Sequence, residues 1–225
     1  MKLGLYGGAF NPIHRCHLEV AEAARSRLGL DQVLFIPTGD PPHKSPTDFI
    51  PASHRVAMVR LAIAPYSYFR LSEIETGRPA KSYAIDTIRE IQTIYAPDTR
   101  LIFIIGLDAF LKFPSWREPD RLLELCEFAV VSRPGVLFKS LENLPLPVIK
   151  DSESLERLDR GQVEIQEFRL TIGQSLWALA IPPCLVSAQD IRNRLTHRQS
   201  VENLLPPAVE SYILSHHLMT GGSPQ

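Results

Sequence analysis

Short, uninterrupted apolar runs alternate along this chain with stretches in which apolar residues recur at helical spacing. Leu3 to Tyr6 is apolar and stops at Gly7-Gly8, the pattern of a buried strand entering a tight turn. From Arg15 to Leu28, the residues Leu18, Ala21 and Leu28 fall near a helical period, and Gly29 supplies a C-terminal cap. Val33 to Ile36 is a second buried run, closed by Pro37, and Thr38 to Pro51 is rich in Gly, Pro and polar residues and predicts a loop. Ser53 to Ala64 predicts a helix and Tyr68 to Leu71 a strand. Ser82 to Tyr95 predicts a helix with Ile85, Ile88, Ile91 and Tyr95 along one side. Leu101 to Ile105 is a strongly apolar strand stopped by Gly106, followed by a helix over Glu118 to Leu125 and a strand over Phe128 to Val131.

Strands and helices therefore alternate, and the strands are continuously apolar, as strands covered on both faces must be. This order predicts a doubly wound α/β fold: a parallel sheet with helices on both faces and right-handed crossovers. Beyond Gly135 the pattern weakens. Leu144-Pro145-Leu146-Pro147 breaks regular structure, and Asp151 to Asp159 is a charged, helix-compatible piece. Residues 136–175 read as an insertion, with a lid or an oligomer contact as the alternatives, so a homo-oligomer stays open. Ser175 to Ile181 predicts a strand, and Ala188 to Leu195 and Pro207 to His216 form a small C-terminal helical part. Thr220 to Gln225 reads as a disordered tail, and the whole of 1–225 as one domain.

Composition then narrows the function. Lys plus Arg is 24 against 25 for Asp plus Glu. A protein that grips a nucleic-acid polymer carries a basic excess, so no such partner is expected, whereas a small anion needs only a local cluster of donors. Cys16, Cys126 and Cys184 are odd in number and far apart, neither a disulfide framework nor a CxxC metal site, which favours a reducing cytoplasm. The opening residues are too short an apolar run for a signal peptide. No apolar run approaches the ~18 residues of a membrane span.

The candidate chemistry lies in Gly7-Gly8-Ala9-Phe10-Asn11-Pro12-Ile13-His14-Arg15-Cys16-His17, between the first strand and the first helix. Ligands of open parallel sheets bind at the carboxyl ends of strands. Two glycines allow a sharp turn and close approach of backbone to ligand, and a helix N-terminus presents amides and positive dipole to an anion. His14 and His17, three apart, share one face of the first turn and are donors for phosphate oxygens. The segment is neither a Walker A loop nor GxGxxG. A purely structural turn, or a zinc site using His43 or His54, are the other readings. A second candidate is Val186-Ser187-Ala188-Gln189-Asp190-Ile191-Arg192, where Ser187 is an N-cap and Arg192 can reach back over an anion.

Gly-Gly-x-Phe-Asn-Pro-x-His-x-x-His closely resembles the GGxF(D/N)PxHxxH signature of the HxGH nucleotidyltransferases, and residues 186–192 resemble their ISSTxIR motif. The resemblance implies a Rossmann-like fold and a His pair that binds nucleotide phosphates and stabilises the transition state, with Arg192 on the distal phosphates. Pro37 to Lys44, Ser82 to Thr87, Gly106-Leu107-Asp108 with Trp116, and Ser132 to Gly135 are similar to the nicotinate-nucleotide adenylyltransferase family in particular. That family implies catalytic roles for His14, His17, Lys44 and Arg192. It implies ATP contacts at Gly7, Gly8, Ala9, Phe10, Gly106, Asp108, Arg133 and Ser187, and pyridine-mononucleotide contacts at Lys44, Ala84 and Trp116. Mg2+ is implied with ATP. Each residue also has a plain structural use: Trp116 in packing, Gly106 as a turn, Asp108 as a helix cap, Lys44 as a solvated charge. The sequence departs from the family pattern at Ala9, at Cys16 where Gly is usual, and at Ala188-Gln189. Two other functions stay open: an HxGH enzyme with a pantetheine-phosphate or polyol-phosphate acceptor, and a nucleotide-binding module with little activity.

Overall fold

The structure, a computed structural model, describes residues 1–39, 49–78, 81–145, 151–170 and 173–219. In chain order its elements are β1 (Lys2–Gly8), α1 (Arg15–Leu28), β2 (Gln32–Pro37), α2 (Ala52–Ile63), β3 (Phe69–Leu71), α3 (Ala84–Ile94) and β4 (Arg100–Gly106). There follow α4 (Leu107–Phe110), α5 (Pro119–Leu125), β5 (Glu127–Val131), α6 (Ser152–Asp159), β6 (Ile165–Arg169), β7 (Ser175–Leu179), α7 (Ala188–Thr196) and α8 (Pro207–Ser215).

The strands form one seven-stranded sheet in the order β3-β2-β1-β4-β5-β7-β6. Strand numbers rise outward from β1 through β2 to β3 on one side and from β4 through β5 to β7 on the other, so the winding reverses between β1 and β4. That reversal is the switch point at which α/β sheets bind ligands. β1 and β4 are parallel with Tyr6 opposite Ile104, and both β4–β5 and β5–β7 are parallel. The expected α/β sheet is therefore present, and β6 runs antiparallel to β7 at the edge. No expectation covers β6 because Ile-Gln-Glu-Phe-Arg buries only Phe168 fully, which is how a charged edge strand reads.

The chain divides into two compact units. One comprises Met1–Tyr6, Val20–Val33 and Tyr83–Cys184, the other Gly7–Glu19, Leu34–Ser82 and Leu185–Gln225. In the first unit, β5 is buried along its whole length and β4 from Leu101 to Ile105. α3 turns Ile85, Ile88 and Ile91 inward, as their spacing requires. Glu127 is a carboxylate inside β5, and it keeps partners there: Arg100 Nε and Nη2 donate to Oε1 at 3.0 and 2.5 Å, and Trp177 Nε1 donates to Oε2 at 2.8 Å. Unpartnered, that carboxylate would cost far more to bury. α1 ends as expected: Gly29 has φ +61°, and the Leu30 N–H returns to the Arg25 carbonyl at 2.9 Å.

Within 136–175, α6 is capped by Asp151, whose carboxylate accepts the Ser154 N–H at 3.1 Å, and β6 follows. The tail, residues 220–225, lies outside the described residues. Cys16 and Cys184 are disulfide-bonded, against the expectation that the cysteines form no bridge, while Cys126 is a buried free thiol. Among the described residues no helix is long and apolar enough to cross a membrane.

Candidate active site

In the second unit, the glycine turn and the opening of α1 form one hydrogen-bonded assembly. The Thr38 N–H donates to the Gly8 carbonyl at 2.9 Å. Phe10 follows in the left-handed region at φ 45°, and its buried ring packs edge-on against His17 at 5.1 Å and against Phe35 at 5.7 Å. His14 is 4% exposed, and its ring lies 3.8 Å from that of His17, tilted by 35°. The two imidazoles thus face one another, as their spacing predicts.

The hydrogen bonds at this helix start correct one expectation. Three amides at this start already have partners within the chain. The His14 N–H donates to His17 Nδ1 at 3.2 Å, the Arg15 N–H to the Leu204 carbonyl at 3.2 Å, and the His17 N–H to the His14 carbonyl at 3.0 Å. His14 precedes α1 rather than lying within its first turn. The bond at Nδ1 also selects a tautomer for His17. Nδ1 accepts, so the proton of the neutral ring is on Nε2, and Nε2 is its donor.

Arg192 joins this assembly from α7. Ser187 caps that helix, accepting the Asp190 N–H at 3.0 Å, as expected. Arg192 Nη1 donates to the Asn11 carbonyl at 2.8 Å, and Nη2 to Gln189 Oε1. Gln189, which replaces a hydroxyl residue of the family motif, therefore orients the arginine. Cys16 is buried, with Sγ 3.4 Å from the Val186 carbonyl oxygen, so this side chain turns toward the approach to α7. Ala9 is exposed at the rim of the turn.

Sequence reasoning misses Arg55. It is fully buried in α2, with Nε donating to the Ile50 carbonyl and Nη1 to the Ala9 carbonyl, both at 2.8 Å. Asn11 Oδ1 accepts the Ile50 N–H at 3.0 Å. His54 Nδ1 lies 2.9 Å from the Tyr212 hydroxyl, in a contact between α2 and α8 rather than in a metal site. Lys44 and His43 lie outside the described residues.

In the first unit, Gly106 ends β4 and caps α4, so Asp108 is not the cap. The Asp108 carboxylate instead accepts Arg133 Nε at 3.3 Å. A Cβ on Gly106 would stand 2.5 Å from Arg133 Nε and 2.6 Å from Asp108 Oδ1, a crowding that glycine avoids. Tyr6 lies near both charges; burial pushes its phenol up to about 12, with Arg133 opposing the rise and Asp108 adding to it. Arg133 opens the turn Ser132 to Val136, in which Gly135 takes φ +78° and the Val136 N–H returns to the Arg133 carbonyl at 3.1 Å.

The same unit brings Ala84 and Trp116 into one neighbourhood. Ala84 opens α3, where the Asp86 and Thr87 amides both donate to the Tyr83 carbonyl at 3.1 Å. Trp116 is half-buried against Phe103 and Phe113, with ring centroids at 5.9 and 5.6 Å. Arg117 links the two, its guanidinium 4.9 Å over the Tyr83 ring and 3.6 Å from the Asp86 carboxylate. This contact, which no local spacing announces, ties the tryptophan loop to the start of α3.

A parallel sheet with its switch at β1 and β4, a paired-histidine turn and an arginine on the same turn define a nucleotidyltransferase. In agreement, the cytidylyltransferase-like family model matches residues 5–194. A Thermoanaerobacter protein named a probable nicotinate-nucleotide adenylyltransferase is 37% identical over 218 residues, covering 97% of this chain and 94% of its own length. One of the same name from Pelobacter propionicus is 42% identical over 222 residues, 95% of each chain. This chain belongs to the nicotinate-nucleotide adenylyltransferase family. Its fold is also that of the Plasmodium falciparum nicotinic acid mononucleotide adenylyltransferase complexed with NaAD, with a TM-score of 0.71 at 18% identity and 97% of both chains covered.

Proposed function

We propose that this protein transfers the adenylyl group of ATP to nicotinate mononucleotide, giving deamido-NAD and pyrophosphate in NAD biosynthesis. The observation that carries the reading is the facing pair His14 and His17, 3.8 Å apart, on the same turn whose Asn11 carbonyl holds Arg192. The mononucleotide phosphate attacks the α-phosphorus of ATP in line. One phosphorus–oxygen bond forms, the bond to the β-phosphate bridge oxygen breaks, and pyrophosphate leaves with the electron pair. A phosphate monoester, with its second pKa near 6, is largely ionised at neutral pH, so no general base is needed. Catalysis is positioning and charge stabilisation.

The catalytic roles fall to His14, His17, Arg192 and Lys44, with His17 donating from Nε2. Gly7, Gly8, Ala9, Phe10 and Ser187 serve the ATP phosphates; Gly106, Asp108 and Arg133 serve the nucleoside end. Ala84 would meet the pyridine carboxylate through its amide and Trp116 would stack on the ring. Mg2+ enters as part of the substrate, on the triphosphate, held largely by phosphate oxygens and water; residues 7–17 contain no carboxylate to compete for it. The setting is the cytoplasm, where ATP is found.

Pyrophosphate release tests this, with ATP and a panel of acceptors: nicotinate mononucleotide, its amide, phosphopantetheine and a polyol phosphate. The first should turn over fastest. Faster turnover of either non-pyridine acceptor would overturn the assignment, and the amide overtaking the acid would overturn the role of the Ala84 amide.

A further inference from the structure

We propose that Arg55 is a positioning residue for the phosphate turn, acting through Ala9; its effect on rate rests on the adenylyl-transfer reading above. Its guanidinium is fully buried, 4.5 Å over the Phe49 ring, and donates at 2.8 Å to two carbonyls, those of Ile50 and Ala9. Ile50 also reaches the other end of the turn, since its N–H donates to Asn11 Oδ1 at 3.0 Å. Residues 9 and 11 are thus both fastened to one anchor.

Between them stands Phe10 at φ 45°, a conformation costing a non-glycine residue roughly 1–2 kcal/mol. Such a residue persists where its surroundings over-determine it. The Ala9 carbonyl and the Phe10 N–H belong to one planar peptide and point in opposite directions. By drawing that carbonyl into the interior, Arg55 fixes where the Phe10 N–H points. Packing alone does not call for this charge. A buried guanidinium is costly to desolvate, and an apolar residue of similar size often serves stability as well or better. The charge serves the direction of a peptide.

Arg55→Met keeps the volume and removes both donors; Arg55→Lys keeps the charge and one reach. With pyrophosphate release as the readout, Arg55→Met should lower kcat by roughly 10- to 100-fold, the scale of a misplacement near 1 Å. KM for nicotinate mononucleotide should stay within about threefold, because its ring contacts are assigned to Ala84 and Trp116. Arg55→Lys should fall between. Amide hydrogen exchange is the second readout and needs no activity. Protection over residues 7–12 should drop about tenfold or more in Arg55→Met while β4 and β5 keep theirs. If the native protein makes no deamido-NAD, the function assignment fails, yet exchange still decides the role of Arg55. Unchanged exchange over residues 7–12 in Arg55→Met overturns the proposal. So does protection lost evenly along the chain, or a kcat fully restored when the assay is run well below the variant's melting temperature; each marks a merely structural residue.

Discussion

At Gly106 a single added methyl group probes the nucleoside contacts proposed for Gly106, Asp108 and Arg133. The backbone there, φ −70° and ψ 145°, suits any residue, so Gly106→Ala adds no torsional strain. Its Cβ would stand 2.5 Å from Arg133 Nε and 2.6 Å from Asp108 Oδ1, about 1 Å inside an ordinary contact. Both atoms belong to side chains that are 37% and 56% exposed, so these swing aside and the backbone stays. At that exposure the ion pair is worth at most about 1 kcal/mol. Spread over 225 residues at about 2 cal/mol/K of unfolding entropy each, its loss lowers Tm by roughly 2 °C. Binding responds more. If Asp108 accepts from the ribose of ATP, losing that charged hydrogen bond costs roughly 1.5–3 kcal/mol, or about 10- to 150-fold in KM for ATP. The assay is steady-state pyrophosphate release against ATP at saturating nicotinate mononucleotide, with a thermal melt of the same sample. A well-folded Gly106→Ala enzyme whose KM for ATP stays within about twofold of native refutes the reasoning.

Three further outcomes are expected. His17→Ala should lower kcat by roughly 10²–10³, the cost of one donor aimed at developing charge; a loss below about tenfold in a folded variant removes His17 from the mechanism. Tyr6 has its phenol raised from 10.0 to about 12, so the stability this contributes is intact below pH 10 and fades as pH rises toward 12. Urea melts at about pH 9 and about pH 11 should show native protein losing more stability than Tyr6→Phe, by roughly 1 kcal/mol; equal losses contradict the assignment. Burial, with the neighbouring Glu127 carboxylate adding to it, pushes the Cys126 thiol well above its usual range. Alkylation of Cys126 near pH 8 should therefore be on the order of 100-fold slower in the native protein than in urea, and comparable rates would show the thiol to be accessible.

What the sequence makes legible depends on how local the cause is. β1, β4 and β5 are plain in it because each is a continuous apolar run bounded by glycine or a turn. His14 and His17 are plain because three residues of spacing settle their common face. Ser187 is plain because a cap acts within one turn. Arg55 is not: beside Val56, Met58 and Val59 an arginine on a helix reads as a solvated charge, and its partners Phe49, Ile50 and Ala9 lie outside that helix. Arg117 is hidden likewise, since its partners Tyr83 and Asp86 lie some thirty residues earlier. The start of α1 misleads in the opposite sense. Helix N-termini commonly leave amides available, but here Leu204 arrives from the far end of the chain to take one of them.

That occupied helix start bears on selectivity inside a cell. A bare helix terminus welcomes any small anion, and free inorganic phosphate is abundant wherever ATP is consumed. With the amides of His14, Arg15 and His17 already engaged, a lone tetrahedral anion finds little to settle on there. On the proposed reading, retention would rest on several separate donors at once, the His14 and His17 rings and Arg192 among them, which a polyphosphate can span and a single phosphate cannot.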